Sequence, residues 1–443
     1  MPHRSLLTAS LVLVACTALL VSQRTAPGTG RPKEVLAAEG QLRWYRGNIH
    51  THSLWSDGDD YLEMIALWYK DNGYDFLTFT DHNILARTER WIDVNKNKGG
   101  KVAFEKLKAR FPNGWVEERM VDGKHEVRLK RFDEVAAKIA EPGKFLLIEG
   151  EEISDRFKNL PVHMNATNVA EVIPPHGGES VYEVIQNNTN AVIAQRERTG
   201  KSMLVHLNHP NFRWGVTAED VMRVRGENFF EVYNGHPGVN NAGDEIHAST
   251  DRIWDIILTR RLAEFDLPVL YGLANDDGHA YHNIPSRASE PGRGWVMVLA
   301  KELTPEALIE AMEAGKFYAS SGVSLERVVT DDQGMQIEVA AEPDVSYVIE
   351  FIGTRRGYDP RSEPVRDKDG NELPVTRRYS DDIGQVFKRV EGTSASYTFE
   401  GDELYVRARI TSSRKHPNPS VPGEFERAWA QPLPGPAVAS ATK

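Results

Sequence analysis

One cysteine, Cys16, occurs in the 443 residues, so neither a disulfide framework nor a thiolate metal site can organise the fold. No Lys/Arg-rich block is present and the net charge is −11, which argues against non-specific nucleic-acid binding through a basic face. A Gly-rich phosphate loop and a nucleophile-elbow motif are both missing, so nucleotide binding and serine hydrolysis lack support. What remains is a chain that is 40% hydrophobic and 26% charged, globular in composition and long enough for two domains or one barrel with additions. Without disulfides it must bury a proper core.

The first forty residues read as a signal or anchor followed by a linker. His3 and Arg4 precede the apolar run "LLTASLVLVACTALLV", which gives way to a polar stretch containing Pro and Gly. Cys16 sits in "LVAC", which resembles a lipoprotein cleavage box; an ordinary cleaved signal and a short uncleaved anchor are the alternatives. The expectation is an exported protein, periplasmic or at the cell surface, with membrane anchoring through the N-terminus or lipid attachment at Cys16.

Residues 41–322 alternate strand-like and helix-like segments. Strands are expected at 44–50, 76–81, 145–149, 162–168, 203–207, 229–233 and 269–274, several as continuous apolar runs suited to parallel strands covered on both faces. Leu62, Ile65, Ala66 and Tyr69 follow helical spacing, as do Phe132, Val135, Ala136 and Ile139. Seven βα units imply an α/β fold, a distorted (β/α)7 barrel whose site lies at the C-terminal strand ends. An insertion at 86–131 is expected to form a hairpin around Asp122-Gly123 near the mouth of the site. After Gly322 the pattern changes to short alternating strands such as "ELYVRARITSS", so 325–430 reads as a small C-terminal β-sandwich and 431–443 as a disordered tail.

Metal-ligand residue types fall at the strand ends. Positions i and i+2 share a strand face, so His50 and His52, and likewise Asp277 and His279, each aim two donors at one point. Asp57 follows in a turn, His82 ends the second strand and His163 lies in the fourth. "EGEE" offers Glu149, Glu151 or Glu152, and "LVHLNHPN" offers His206 or His209. Imidazole with carboxylate suits zinc, manganese or iron. Asn83, Asn234 and His236, beside strand ends, are candidate substrate contacts. His125, His247 and His416 read as ordinary surface or hydrogen-bonded histidines, and Ser320 and Ser321 as turn residues.

"IHTHSLWSDG", "TFTDHN" and "NHPN", in this order, resemble the PHP (polymerase and histidinol phosphatase) family of metal-dependent hydrolases over roughly residues 44–322. "EVYNG" at 231–235 and "GKFYASSG" at 315–322 look like its carbaryl-hydrolase-like branch. The resemblance implies two or three divalent ions held by His50, His52, Asp57, His82, Glu152, His163, His209, Asp277 and His279. His206 is then a supporting residue or proton carrier. Three ligand carboxylates against ~+4 to +6 of metal charge leave a net positive trap inside an acidic protein. The expected reaction is hydrolysis by a metal-bridging hydroxide, with Asp277 or a nearby histidine moving the proton. Three classes compete: a phosphoesterase; an ester, carbamate or amide hydrolase; and a non-enzymatic, metal-holding glycan-binding protein. The expected partner is a small-molecule or glycan-linked ester.

Overall fold

The computed structural model describes residues 42–439, so the N-terminal export expectation and Cys16 lie outside the described residues. Seven strands carry the first part of the fold: β1 (Arg43–Asn48), β2 (Phe76–Phe79), β3 (Leu146–Phe157), β4 (Leu160–Thr167), β5 (Leu204–Leu207), β6 (Phe229–Asn234) and β7 (Tyr271–Asn275). They are neighbours in that order. Every residue of β2, β5 and β6 is buried, as expected of strands covered on both faces. The two ends of the row meet at their tips. Just beyond β1 and β7, Thr51 bridges Gly278 in parallel, His52 N–H donates to the Gly278 carbonyl at 3.0 Å, and Asp277 N–H donates to the His50 carbonyl at 3.1 Å.

One pairing departs from the sequence expectation. β4 runs antiparallel to both β3 and β5, so the third and fourth strands form a hairpin and not two βα units. Its turn falls at Lys158-Asn159, where Lys158 takes a left-handed conformation with φ 56°. The turn is hidden in the sequence because the usual Asn-Gly or Asp-Gly signal is lacking.

Helices cover the row. α1 (Leu62–Asp71) buries Leu62, Ile65, Ala66 and Tyr69, the spacing read from the sequence, with Leu62 and Ile65 each worth ~1.5–3 kcal/mol on full burial. α2 (Gly100–Arg110) belongs to the insertion, and α3 (Phe132–Ile139) buries Val135 and Ile139. α4 (Val181–Thr199) is capped by Ser180, whose side chain accepts from Glu183 N–H, and ends at the left-handed Gly200. α5 (Thr250–Arg260) lies between β6 and β7 in sequence. The insertion contains the expected hairpin, Glu118–Val121 paired with Lys124–Leu129, turning at Asp122 and Gly123 with φ 50° and 74°.

The C-terminal part is continuous with this sheet. Beyond β1 come β8 (Trp295–Ala300) and β9 (Phe317–Ser320). β10 (Leu325–Asp331), β11 (Gly334–Val339) and β14 (Ser394–Thr398) form a separate three-stranded sheet. β12 (Tyr347–Arg355), β13 (Gln385–Glu391), β15 (Glu403–Lys415) and β16 (Phe425–Pro434) extend the first one, β16 pairing with β9, to thirteen strands. The small sheet packs Leu325, Ile337 and Tyr397 into one core with Ile349, Phe351 and Val406 of the large one. The expectation of a disordered tail from Gln431 is corrected: Gln431 lies in β16, its side chain bonds both N–H and C=O of Gly272, and Pro436–Ala439 is helical. A Pro/Ala-rich composition suggests disorder only where no strand edge is offered, and β9 and β15 offer one each.

Candidate metal centre

Six of the seven strands, β1 to β5 and β7, or the residues just past them, deliver candidate ligands to one place. His50 and His52 emerge from β1 fully buried. The following loop carries Asp57 and is held by Asp81 at the end of β2, whose carboxylate accepts from Ser53 N–H (2.8 Å), Ser53 Oγ (2.7 Å), Ser56 N–H (3.1 Å) and Ser56 Oγ (2.6 Å). His82 follows Asp81. On β3 the alternation separates the three glutamates: Glu149 pairs with Arg87 and Glu151 accepts from Ile173 N–H, while Glu152 faces inward. His163 comes from β4, His209 from just past β5, and Asp277 and His279 from just past β7. Asp277 sits at φ 51°, a left-handed turn that aims its carboxylate back at His50 and His52.

All nine ligands implied by the family resemblance are thus brought together, in overlapping groups: His52, Asp57, His82 and His279; His50, Glu152 and His209; His50, His52 and Asp277; His82, Glu152 and His163. Three carboxylates are shared between imidazoles. Asp277 Oδ1 lies 3.2 Å from both His50 Nε2 and His52 Nε2. Glu152 Oε1 lies 3.4 Å from His209 Nε2 and 3.6 Å from His50 Nε2, and its Oε2 lies 3.3 Å from His52 Nε2. Asp57 Oδ1 lies 3.2 Å from His279 Nε2 and 3.4 Å from His82 Nε2. Two donors on one ion at ~2.0–2.1 Å in tetrahedral geometry stand ~3.4 Å apart, which is the spacing seen in these pairs.

The polar atoms also need a cation. His50 Nε2 and both ring nitrogens of His52 are buried without a hydrogen-bond partner, a costly state unless something coordinates them. Electrostatics agree. Burial raises the Glu152 carboxyl, but the imidazoles of His82 and His163 outweigh it and hold it well below its ordinary value. Burial and the neighbouring His279 and His82 push His52 down to about 3, so its ring is neutral and free to ligate. Burial lowers His82, yet Glu152 and Asp57 pull it up to about 9, a proton that a metal ion would displace. These residues fit divalent metal ions.

The sequence reading missed Glu231. Its fully buried carboxylate accepts from His50 Nδ1 (2.7 Å) and Asn275 Nδ2 (2.9 Å) on Oε1, and from His209 N–H (2.9 Å) and Asn234 Nδ2 (2.7 Å) on Oε2. It orients two ligands directly. A lone carboxylate inside the all-buried "FFEVYN" was the available signal, since a buried charge must be compensated.

Several proposed contacts are placed differently. Asn83, expected to meet substrate, spends its amide on the backbone of Ser154, accepting from N–H at 2.9 Å and donating to C=O at 3.2 Å; it clamps two strand ends. Asn234 is buried and bridges Glu231 to Asp277 Oδ2 (3.2 Å), so it supports a ligand from behind. His206 is fully buried behind His50, its Nε2 3.7 Å from Glu231 Oε1 and burial lowering its pKa, away from any solvent-facing proton path. His236 does approach the mouth: its ring lies 5.7 Å from that of His279, and its Nδ1 accepts from Gly238 N–H at 2.9 Å, leaving Nε2 to carry the proton of the neutral ring. The open side is marked by Asp57, whose side chain is 54% exposed, with His82 and His163 behind it at 29% and 17%. The insertion braces that edge. Lys98 donates to the Asp57 carbonyl, Arg90 to the Trp55 carbonyl, and Lys106 pairs with Asp60.

No protein-family model matches the chain, and no curated protein does. Among the solved structures similar to it are the following three. A two-domain protein from Bacteroides vulgatus, described as containing a PHP-like metal-dependent phosphoesterase assigned on prediction, is 14% identical; the match covers 91% of this chain and 100% of that one, with a TM-score of 0.38. A candidate metal-dependent phosphoesterase from Bifidobacterium adolescentis is 14% identical over 60% of this chain and 95% of its own, with a TM-score of 0.30. PsfC from Pseudomonas syringae is 12% identical over 61% and 87%, with a TM-score of 0.31. The functional reading of the centre rests on its own geometry.

Proposed function

We propose that this chain is a metal-dependent hydrolase of the PHP type, a phosphoesterase, working at the tips of a distorted seven-stranded barrel continued by a C-terminal β-sandwich. The observation that carries the reading is the sharing of Asp277 Oδ1 between His50 and His52, and of the Glu152 oxygens among imidazoles from different strands, at spacings suited to neighbouring ions. His50, His52, Asp57, His82, Glu152, His163, His209, Asp277 and His279 would hold the ions. When bound, such ions polarise a phosphoryl oxygen and bring a water to the hydroxide form near neutral pH.

The residues of the chain supply the rest. Asp277, held by Asn234 on Oδ2, is the candidate to accept the proton of the attacking water. His236 offers a neutral Nε2–H to a substrate oxygen at the mouth. The exposed edge at Asp57 sets the face from which substrate enters, and the fully buried His50 and His52 set the floor. The N-terminal apolar run directs the reading towards an exported enzyme.

The test is a panel of p-nitrophenyl phosphate, phosphodiester, acetate and carbamate substrates, assayed with Mn²⁺ or Zn²⁺ beside elemental analysis of the purified protein. Metal-dependent, chelator-sensitive release from the phosphate esters is expected. Turnover of acetate or carbamate alone would replace this reading with the carboxylic or carbamic ester hydrolase. No turnover with any metal, together with binding on a glycan array, would favour the non-enzymatic one.

A further inference from the structure

A second site adjoins the metal centre. A cavity of about 760 Å³ opens between the tip of the β3–β4 hairpin and the loop after His209. Ser154, Arg156 and Lys158 line it from the hairpin, Arg213 from the loop, and His163 forms the wall that it shares with the metal centre. That volume suits a small organic ligand, for which pockets run ~300–1,000 Å³.

The cavity's rim is basic. Acidic residues outnumber basic ones, 64 to 53, and many arginines elsewhere are paired, such as Arg128 with Glu117 and Glu134 and Arg414 with Glu342 and Glu426. Among the described residues the side chains of Arg156, Lys158 and Arg213 form no ion pair, though all three are exposed around one opening. The one carboxylate in the lining, Asp155, is engaged: its Oδ2 accepts from Gly177 N–H and Asn188 Nδ2, each at 2.9 Å. Lys158 and Arg213 are also fixed by backbone, at φ 56° and 51°, conformations that non-glycine residues hold only when their surroundings impose them. Three cations without carboxylate partners around one opening, next to a candidate phosphoryl-transfer centre, can receive an anion there, and arginine's planar fork matches phosphate oxygens.

We propose that this cavity is a specificity subsite for a second phosphate group of the substrate, so that the preferred esters carry two phosphates, one at the metal centre and one between Arg156, Lys158 and Arg213. This rests on the phosphoesterase reading but is tested apart from it, by binding. Alkane bisphosphonates of three to six carbons, which cannot be hydrolysed, are compared calorimetrically with the matching alkyl monophosphonates on the metal-loaded full chain. At least one bisphosphonate is expected to bind about ten-fold more tightly than its monophosphonate, an advantage that shrinks with added salt. It is expected to vanish in the triple variant Arg156→Gln, Lys158→Gln, Arg213→Gln, whose melting temperature and metal content are measured alongside. Bisphosphonates no tighter than monophosphonates at every length, or an advantage kept by the triple variant, would overturn the subsite. Failure of the esterase panel would instead sink the function.

Discussion

Glu231→Gln isolates the residue that orders the centre from behind. The carboxylate accepts four hydrogen bonds, two on each oxygen, from His50, Asn275, His209 and Asn234. A glutamine in either orientation presents its amide N–H₂ to two of these donors, so two charge-assisted bonds are lost at ~1.5–3 kcal/mol each, about 3–6 kcal/mol of folding stability. The functional consequence is separate. With the amide nitrogen at the Oε1 position His50 Nδ1 loses its acceptor, and at the Oε2 position the His209 N–H does, so either way one candidate ligand loses its orientation; supporting partners of this kind are worth ~10–100-fold in metal affinity, or about 1.4–2.7 kcal/mol. The assay is calorimetric titration of chelator-stripped protein with Zn²⁺ or Mn²⁺, beside thermal melts. Weaker metal binding by one to two orders of magnitude is expected. A variant that melts lower but binds metal within two-fold of the parent would refute the orienting role and leave Glu231 purely structural. Should Glu231→Gln not fold, Asn275→Ala removes one donor from the same oxygen and should show the same ordering more mildly.

Other outcomes follow from the same coordinates. His52→Ala should abolish turnover and metal retention and lower the melting temperature, whereas His125→Ala, on the insertion hairpin and bonded to Glu118, should do neither; equal activity in both would contradict the ligand assignment. Burial raises the Glu63 carboxyl from 4.5 to about 7. Its folded state therefore favours the protonated form, and stability present below pH 4.5 is lost as pH rises through 7, in all about 3 kcal/mol at ~1.4 kcal/mol per pH unit. Glu63→Gln, which keeps an acceptor for Trp115 Nε1, should flatten the fall in melting temperature between pH 5 and pH 8; an unchanged slope would show another group is responsible. Arg407 is buried and makes a two-pronged pair with Asp255 of α5 at 2.8 and 2.7 Å, so Arg407→Ala should cost about 3–5 kcal/mol in denaturant unfolding, and a loss below ~1 kcal/mol would mean solvent reaches the pair.

Much of the centre was legible because its residues carry local signals. The i, i+2 pairs at His50/His52 and Asp277/His279 announce a shared face, and Leu62, Ile65, Ala66 and Tyr69 announce α1. Partner choice is not written locally. Nothing in the alternation of β4 says that it runs antiparallel, and nothing in "FERAWAQPLP" says that this segment joins β9 rather than closing a separate unit. The supporting roles of Asn83 and Asn234 were also hidden, since an asparagine by a strand end looks alike whether it faces substrate or clamps a neighbouring backbone.

The continuity of the thirteen-stranded sheet has a consequence during synthesis. β9 acquires its outer neighbour only when residues 425–434, about a hundred positions later, have emerged. Until then the nascent chain presents a bare strand border with unmet N–H and C=O groups, the kind of surface that recruits other chains. A stop codon or proteolytic nick that removes the last strand should yield aggregates in place of a trimmed enzyme, even though every metal-binding side chain would already have been made.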